Sequence, residues 1–110
     1  MPLSEIPPED RPRERLLALG AHRLRNEELL AIVIGSGTRN ASSLELAQRL
    51  LKKTAGPAGL DAASLPALLD IGGVGPAAAM RIVAGCELHR RAARRRTVQP
   101  GVPVSQVPTT

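Results

Sequence analysis

Apolar and polar positions along the chain recur with helical spacing, in segments punctuated by Gly and Pro. Leu16, Leu17 and Leu19 fall in a first segment that Asp10 can cap. Pro12 sits in its first turn, where a missing N–H costs nothing, and Gly20 ends it. Asn26 is a second candidate N-cap, followed by Glu27 and Glu28, where the helix dipole favours carboxylates. The run Leu29 to Ile34 holds three β-branched residues and would also suit a buried strand; its caps and helical neighbours favour a helix ending at Gly35-Ser36-Gly37.

Ser42 or Ser43 caps a third helix, with Leu44, Ala47 and Leu51 at core spacing and Leu46 and Leu50 beside them. Glu45, Gln48, Arg49, Lys52 and Lys53 form its wet side, and Gly56-Pro57 breaks it. Ser64 caps a short fourth helix with Pro66 in its first turn. A tight turn, Asp70-Ile71-Gly72-Gly73-Val74-Gly75-Pro76, leads into a long last helix with a core stripe of Ala79, Ile82, Val83 and Cys86. Arg90 falls on that stripe, so the helix is expected to leave the core before it. The pattern predicts one all-α domain of about five short helices over residues 10–96. An extended arm (1–9) precedes it, and a Pro-rich linker or disordered tail (97–110) follows.

Composition sharpens this. The 110 residues are 43% apolar yet contain no Phe, Tyr or Trp. A core built from Ala and Leu requires helices packed closely through small side chains. It also removes aromatic stacking as a means of holding splayed bases. The net charge of +5 is local: residues 1–80 are balanced, whereas 81–96 hold six Arg against Glu87 alone. Such a run points to an anionic partner, or equally to a solvated helix end whose cations complement the dipole. Cys86 stands alone, which excludes an intrachain disulfide and a Cys/His zinc site and suits a buried filler role. His22 and His89 are far apart, and no acid, base or nucleophile is grouped for catalysis. No cofactor or metal is expected. With no signal-peptide pattern and no apolar run of membrane length, a cytoplasmic protein is expected.

The segment Ser64 to Arg91 carries the most chemistry. Gly73 and Gly75 flank Val74, whose side chain can pin the turn to the core, and they permit dihedrals and close approaches that a Cβ would forbid. Pro76 fits the first helical position, so the N–H groups that follow lack intrahelical partners. Free donors at the positive end of a helix dipole suit a phosphate oxygen. The plainer reading is a tight interhelical turn with no ligand.

LLDIGGVGPAAAMRI resembles a helix-hairpin-helix motif, the sequence-independent DNA-binding module of many repair and replication proteins. More widely, RPRERLLALGAHRLRNEELLAIVIGSGT, then SSLELAQRLL and the hairpin (64–91), resemble the N-terminal region of bacterial RadC-family (UPF0758) proteins over about residues 3–96. That resemblance implies a small helical domain preceding a JAMM/MPN domain with a metal-binding His-x-His pattern, which this chain does not contain. It implies DNA as partner, with phosphates held at Gly73, Val74, Gly75 and Ala77 and by Arg81. Arg90, Arg91, Arg94, Arg95 and Arg96 would be auxiliary cations. Family hairpins often carry Lys or Arg after the Gly-Pro; here Ala77, Ala78 and Ala79 stand there, and Gly72 replaces another common basic position. The rival expectation is a module presenting a protein partner or substrate to the adjoining metal-dependent domain.

Overall fold

The structure, a computed structural model, describes residues 11–35 and 41–98, with side chains as far as residue 95. Among these residues there are six α-helices and no strand: α1 Arg11–Leu19, α2 Asn26–Ile34, α3 Ser43–Thr54, α4 Pro57–Ala62, α5 Leu65–Leu69 and α6 Pro76–Val98. A single 3-10 turn, Ala21–Arg23, joins α1 to α2. The all-α expectation holds. The predicted arm and nearly all of the predicted tail lie outside the described residues, as do Asp10, Ser36 and Gly37; α6 itself continues through Val98.

The core is one cluster built by α2, α3, α5 and α6, with α2 and α3 packed most extensively. Leu30, Ala31 and Ile34 come from α2, Leu46, Ala47 and Leu50 from α3, Leu68 from α5, and Ala79 and Ile82 from α6. Ala41 and Val74 complete it from the connecting segments. Ala31, Ala47 and Ala79 are almost fully buried, so helix backbones approach closely at the points where small residues face one another. The β-branched run of α2 is helical, and Ile34 is one of the largest fully buried side chains.

Several local features depart from the pattern. On α3 the buried line is Ser43, Leu46, Ala47 and Leu50, while Leu44 and Leu51 pack at its margin. On α6, Ala79 and Ile82 are buried and Val83 and Cys86 lie at the edge. Among its apolar residues α1 buries only Pro12, and Leu17 is 83% exposed. The N-cap of α2 is Arg25, one residue before Asn26, because Glu28 at the third helical position reaches back to accept from the Arg25 N–H at 3.1 Å. Glu28 is itself buried and accepts from Arg15 Nε at 2.6 Å, which ties α1 to α2. Ser42, not Ser43, caps α3 in a full capping box with Glu45.

The segment after Gly56-Pro57 forms a helix, α4, which the sequence pattern does not predict. Pro57 occupies its first turn, and Gly59 lets it lie against the end of α3: a Cβ there would sit 1.6 Å from the Thr54 carbonyl oxygen. Ser43 is fully buried, and its hydroxyl has no hydrogen-bond partner among the described residues. An unsatisfied buried hydroxyl costs about 1–3 kcal/mol. Ser43→Ala is therefore expected to stabilise the domain by about 1 kcal/mol, raising Tm by roughly 4–8 °C. A thermal melt showing a lower Tm would count against that account.

Candidate functional site

The turn between α5 and α6 is built from successive backbone bonds. Ser64 caps α5 by accepting from the Ala67 N–H, and α5 ends as Asp70 N–H donates to the Pro66 carbonyl at 3.1 Å. Ile71 N–H donates to Leu68 O, and Val74 N–H donates to Ile71 O, each at 3.1 Å. Gly73, third in the turn Ile71 to Val74, has φ +91°, the left-handed value that type II turns require there. Val74 is buried and fastens the turn to the core. The Gly75 carbonyl accepts from Ala79 N–H at 3.1 Å, which makes Gly75 the N-cap of α6 with Pro76 at its first helical position.

Each expected site residue now has a place. Ala77 carries an N–H that precedes the first residue able to bond back within α6, and its side chain is exposed. Gly75 is exposed, and a Cβ there would meet nothing within 4 Å; the same is true of Gly72. Gly75 does not have a positive φ, so only Gly73 needs glycine for its own conformation. Val74 serves through its buried side chain, because its N–H is committed to Ile71.

Arg81 Nη1 donates to the Ile34 carbonyl at 2.7 Å, which closes the C-terminus of α2 and uses one of its five N–H donors. The arginines further along α6 are not brought to the turn. At a rise of about 1.5 Å per residue, Arg90 lies about 21 Å along the helix from Pro76. Arg90 donates to the Asp61 backbone carbonyl and pairs with its carboxylate at 3.3 Å, joining α6 to α4 beyond the apolar core. Glu87 collects the rest: Arg91 Nε at 2.9 Å, Arg94 Nη2 at 3.4 Å and Arg90 Nη1 at 3.6 Å. The Arg91 hydrogen bond, with further attraction from Arg91 and Arg94, holds the Glu87 carboxyl below its ordinary value. Arg95 is half-buried, and the side chain of Arg96 lies outside the described residues. Burial pushes the Cys86 thiol up from its ordinary value, and the neighbouring Asp61 adds to the rise while Arg90 opposes it. A raised thiol pKa means little thiolate at neutral pH, as expected of a packing residue.

One residue at the turn escaped the sequence pattern. Arg49, read as part of the wet side of α3, donates from Nη1 to the Gly72 carbonyl at 2.7 Å. The sequence cue is indirect: on the helix Arg49 neighbours Leu46 and Leu50, whose side chains face the cluster that Val74 enters.

No group of three or more His, Cys, Asp or Glu side chains suited to a metal ion occurs among the described residues, and no helix among them is long and apolar enough to cross a membrane.

The sequence matches the UPF0758 N-terminal family over residues 3–80. The chain belongs to the UPF0758 family. It is 44% identical over 89 residues to a UPF0758 protein of Clostridium perfringens, covering 81% of this chain and 39% of that protein. A Bacillus licheniformis UPF0758 protein is 48% identical over 91 residues (83% of this chain, 41% of the relative). A Bordetella petrii relative is 43% identical over 100 residues (90% and 44%). The chain thus spans about two fifths of the length of the curated relatives it matches. No solved structure matches it.

Proposed function

We propose that this UPF0758 chain is a sequence-independent DNA-binding accessory domain of a RadC-like cytoplasmic protein. Residues 10–96 form the domain, and α5, the turn and α6 act as a helix-hairpin-helix. The observation that carries the reading is the turn itself. Gly73 supplies the left-handed residue, Val74 anchors, and Gly75 leaves the backbone bare where the donors of α6 begin. Those donors, at the positive end of a helix of 23 residues, suit a phosphate oxygen. Phosphate contacts made by backbone position a protein on nucleic acid without reading bases. With no aromatic side chain in the sequence, base stacking is not part of the grip.

Gly75→Val tests this cleanly. A Cβ at position 75 meets no protein atom within 4 Å and no positive φ, so valine there is expected to cost about 1 kcal/mol as a poorer N-cap while blocking the approach of a phosphate backbone. We expect circular dichroism to remain native-like and affinity for duplex DNA at low salt to fall about tenfold or more, the effect of losing one charge-assisted contact of about 1.5–3 kcal/mol. If the wild-type chain binds no duplex, single-stranded or junction DNA at low salt, the reading is lost.

A second reading has its own support. Met80 (53% exposed) and Leu88 (68% exposed) share the outward face of α6 with Ala77 and Ala84. An apolar stripe of this kind suits a protein contact. The adjoining metal-dependent JAMM/MPN domain implied by the family resemblance would be the partner, and retention of an isolated copy of that domain by this chain is the corresponding measurement.

A further inference from the structure

We propose that the exposed face of the second half of α3, formed by Arg49, Lys52 and Lys53, is the second half of the DNA-binding surface. It would receive phosphates of the same duplex beside the one held at the start of α6. This inference rests on the DNA-binding reading above and names cations which that reading otherwise lacks at the turn.

Position is the first argument. Positions 49, 52 and 53 are spaced i, i+3, i+4, so they share one face of α3, and all three are exposed. Arg49 is bonded directly to the Gly72 carbonyl, and Lys53 lines a groove with Thr54, Ile71 and Gly72. Gln48, Arg49, Lys52 and Lys53 line the neighbouring depression, so basic side chains run without a break from the turn along α3. The guanidinium of Arg49 has five N–H donors, and the Gly72 bond uses one of them.

Charge is the second argument. Lys52 and Lys53 form no ion pair among the described residues, and Asp70 is the one acidic side chain in the groove that Lys53 lines. The arginines of α6 differ on both counts. Arg90, Arg91 and Arg94 surround Glu87, and Arg90 is further engaged by Asp61. Arg90 also lies about 21 Å from the turn, more than two screening lengths of about 8 Å at physiological ionic strength. It therefore adds little to the potential felt by a phosphate at Gly75. The cations missing from positions 77–79 are supplied from a different helix.

A fluorescence-anisotropy titration of a labelled duplex against salt, with the full chain, separates these contributions. Each phosphate neutralised contributes about −0.9 to the slope of log affinity against log salt. K52Q/K53Q is expected to make that slope shallower by about 2 and to weaken binding at low salt roughly tenfold or more. R94Q/R95Q, at the far end of α6, is expected to leave the slope unchanged. Lys52, Lys53 and Arg94 are exposed and Arg95 half-buried, and circular dichroism is the check that each variant folds. If K52Q/K53Q keeps the wild-type slope while Gly75→Val still weakens binding, the α3 surface is overturned and the hairpin reading stands. If R94Q/R95Q flattens the slope and K52Q/K53Q does not, the second contact belongs to α6 and the proposal fails. A wild-type chain with no affinity for the duplex overturns both.

Discussion

Leu50→Ala is expected to cost about 3–5 kcal/mol of folding stability, the upper part of the range for buried leucine truncations. Leu50 is fully buried at the centre of the cluster where α3 meets its neighbours. The cost depends on how far the surroundings collapse into the space left behind. Ala31, Ala47 and Ala79 line the same cluster with side chains too short to swing inward, and no aromatic ring is present to re-angle. Against a total of about 5–10 kcal/mol for a domain of this size, the loss is a large fraction. Urea denaturation followed by far-ultraviolet circular dichroism measures it. Leu51→Ala is the informative comparison, because Leu51 packs only at the margin. Its truncation is expected to cost about 1–2 kcal/mol, as part of its surface is already in water. A Leu51 variant less stable than the Leu50 variant would mean that α3 is rotated from the orientation that buries Leu50.

That comparison bears on what the sequence could convey. Periodicity located α3 but left its cap open between Ser42 and Ser43; the fold selects Ser42, which forms a capping box with Glu45. It did not settle the rotation, because Leu44, Leu46, Ala47, Leu50 and Leu51 cover too wide an arc for spacing alone to choose a centre. The choice is made by the helices packed against it. The α5–turn–α6 unit was legible for a different reason: its demands are local, with Gly73 supplying the positive φ, Val74 the buried anchor and Pro76 the first helical position. α4 was not legible, since Gly-Pro reads as a break and Gly59 is a poor helix former. Its docking depends on a close approach to Thr54 that only the folded chain reveals. Arg49 and Arg81 show the same limit at the site. Their partners, Gly72 and Ile34, are 23 and 47 residues away, beyond the reach of any helical repeat. The pattern could place Arg49 on a wet face but could not say that the face adjoins the turn, and it could not show that Arg81 also bonds the end of α2.

Gly73→Ala is expected to cost about 2–5 kcal/mol and to abolish the turn's geometry, while alanine costs little at Gly72 and about 1 kcal/mol or less at the N-cap Gly75. Two effects add at position 73. A residue with a Cβ held at φ +91° meets the left-handed penalty of about 1–2 kcal/mol. The new Cβ would also lie 2.7 Å from Arg49 Nη1 and 2.8 Å from Leu46 Cδ2. Arg49 can swing out, at the loss of its bond to the Gly72 carbonyl. Leu46 is buried and has no open direction, so overpacking adds about 1–3 kcal/mol. Cβ atoms at Gly72 and Gly75 meet nothing within 4 Å, and neither residue has a positive φ. The three alanine variants therefore separate the conformational need for glycine from the need for an open backbone. Stability measured in urea should fall most for Gly73→Ala, with a loss of about 1 kcal/mol or less for Gly75→Ala at the N-cap. Equal losses at positions 73 and 75 would show that the turn is not held in the conformation described. A native-like Gly73→Ala with its Arg49 contact intact, read from the Arg49 side-chain resonances, would show that Leu46 yields more easily than its burial implies. The same variant links fold to site: releasing Arg49 and displacing Val74 would move the start of α6 relative to α3, separating the backbone donors from the basic face beside them.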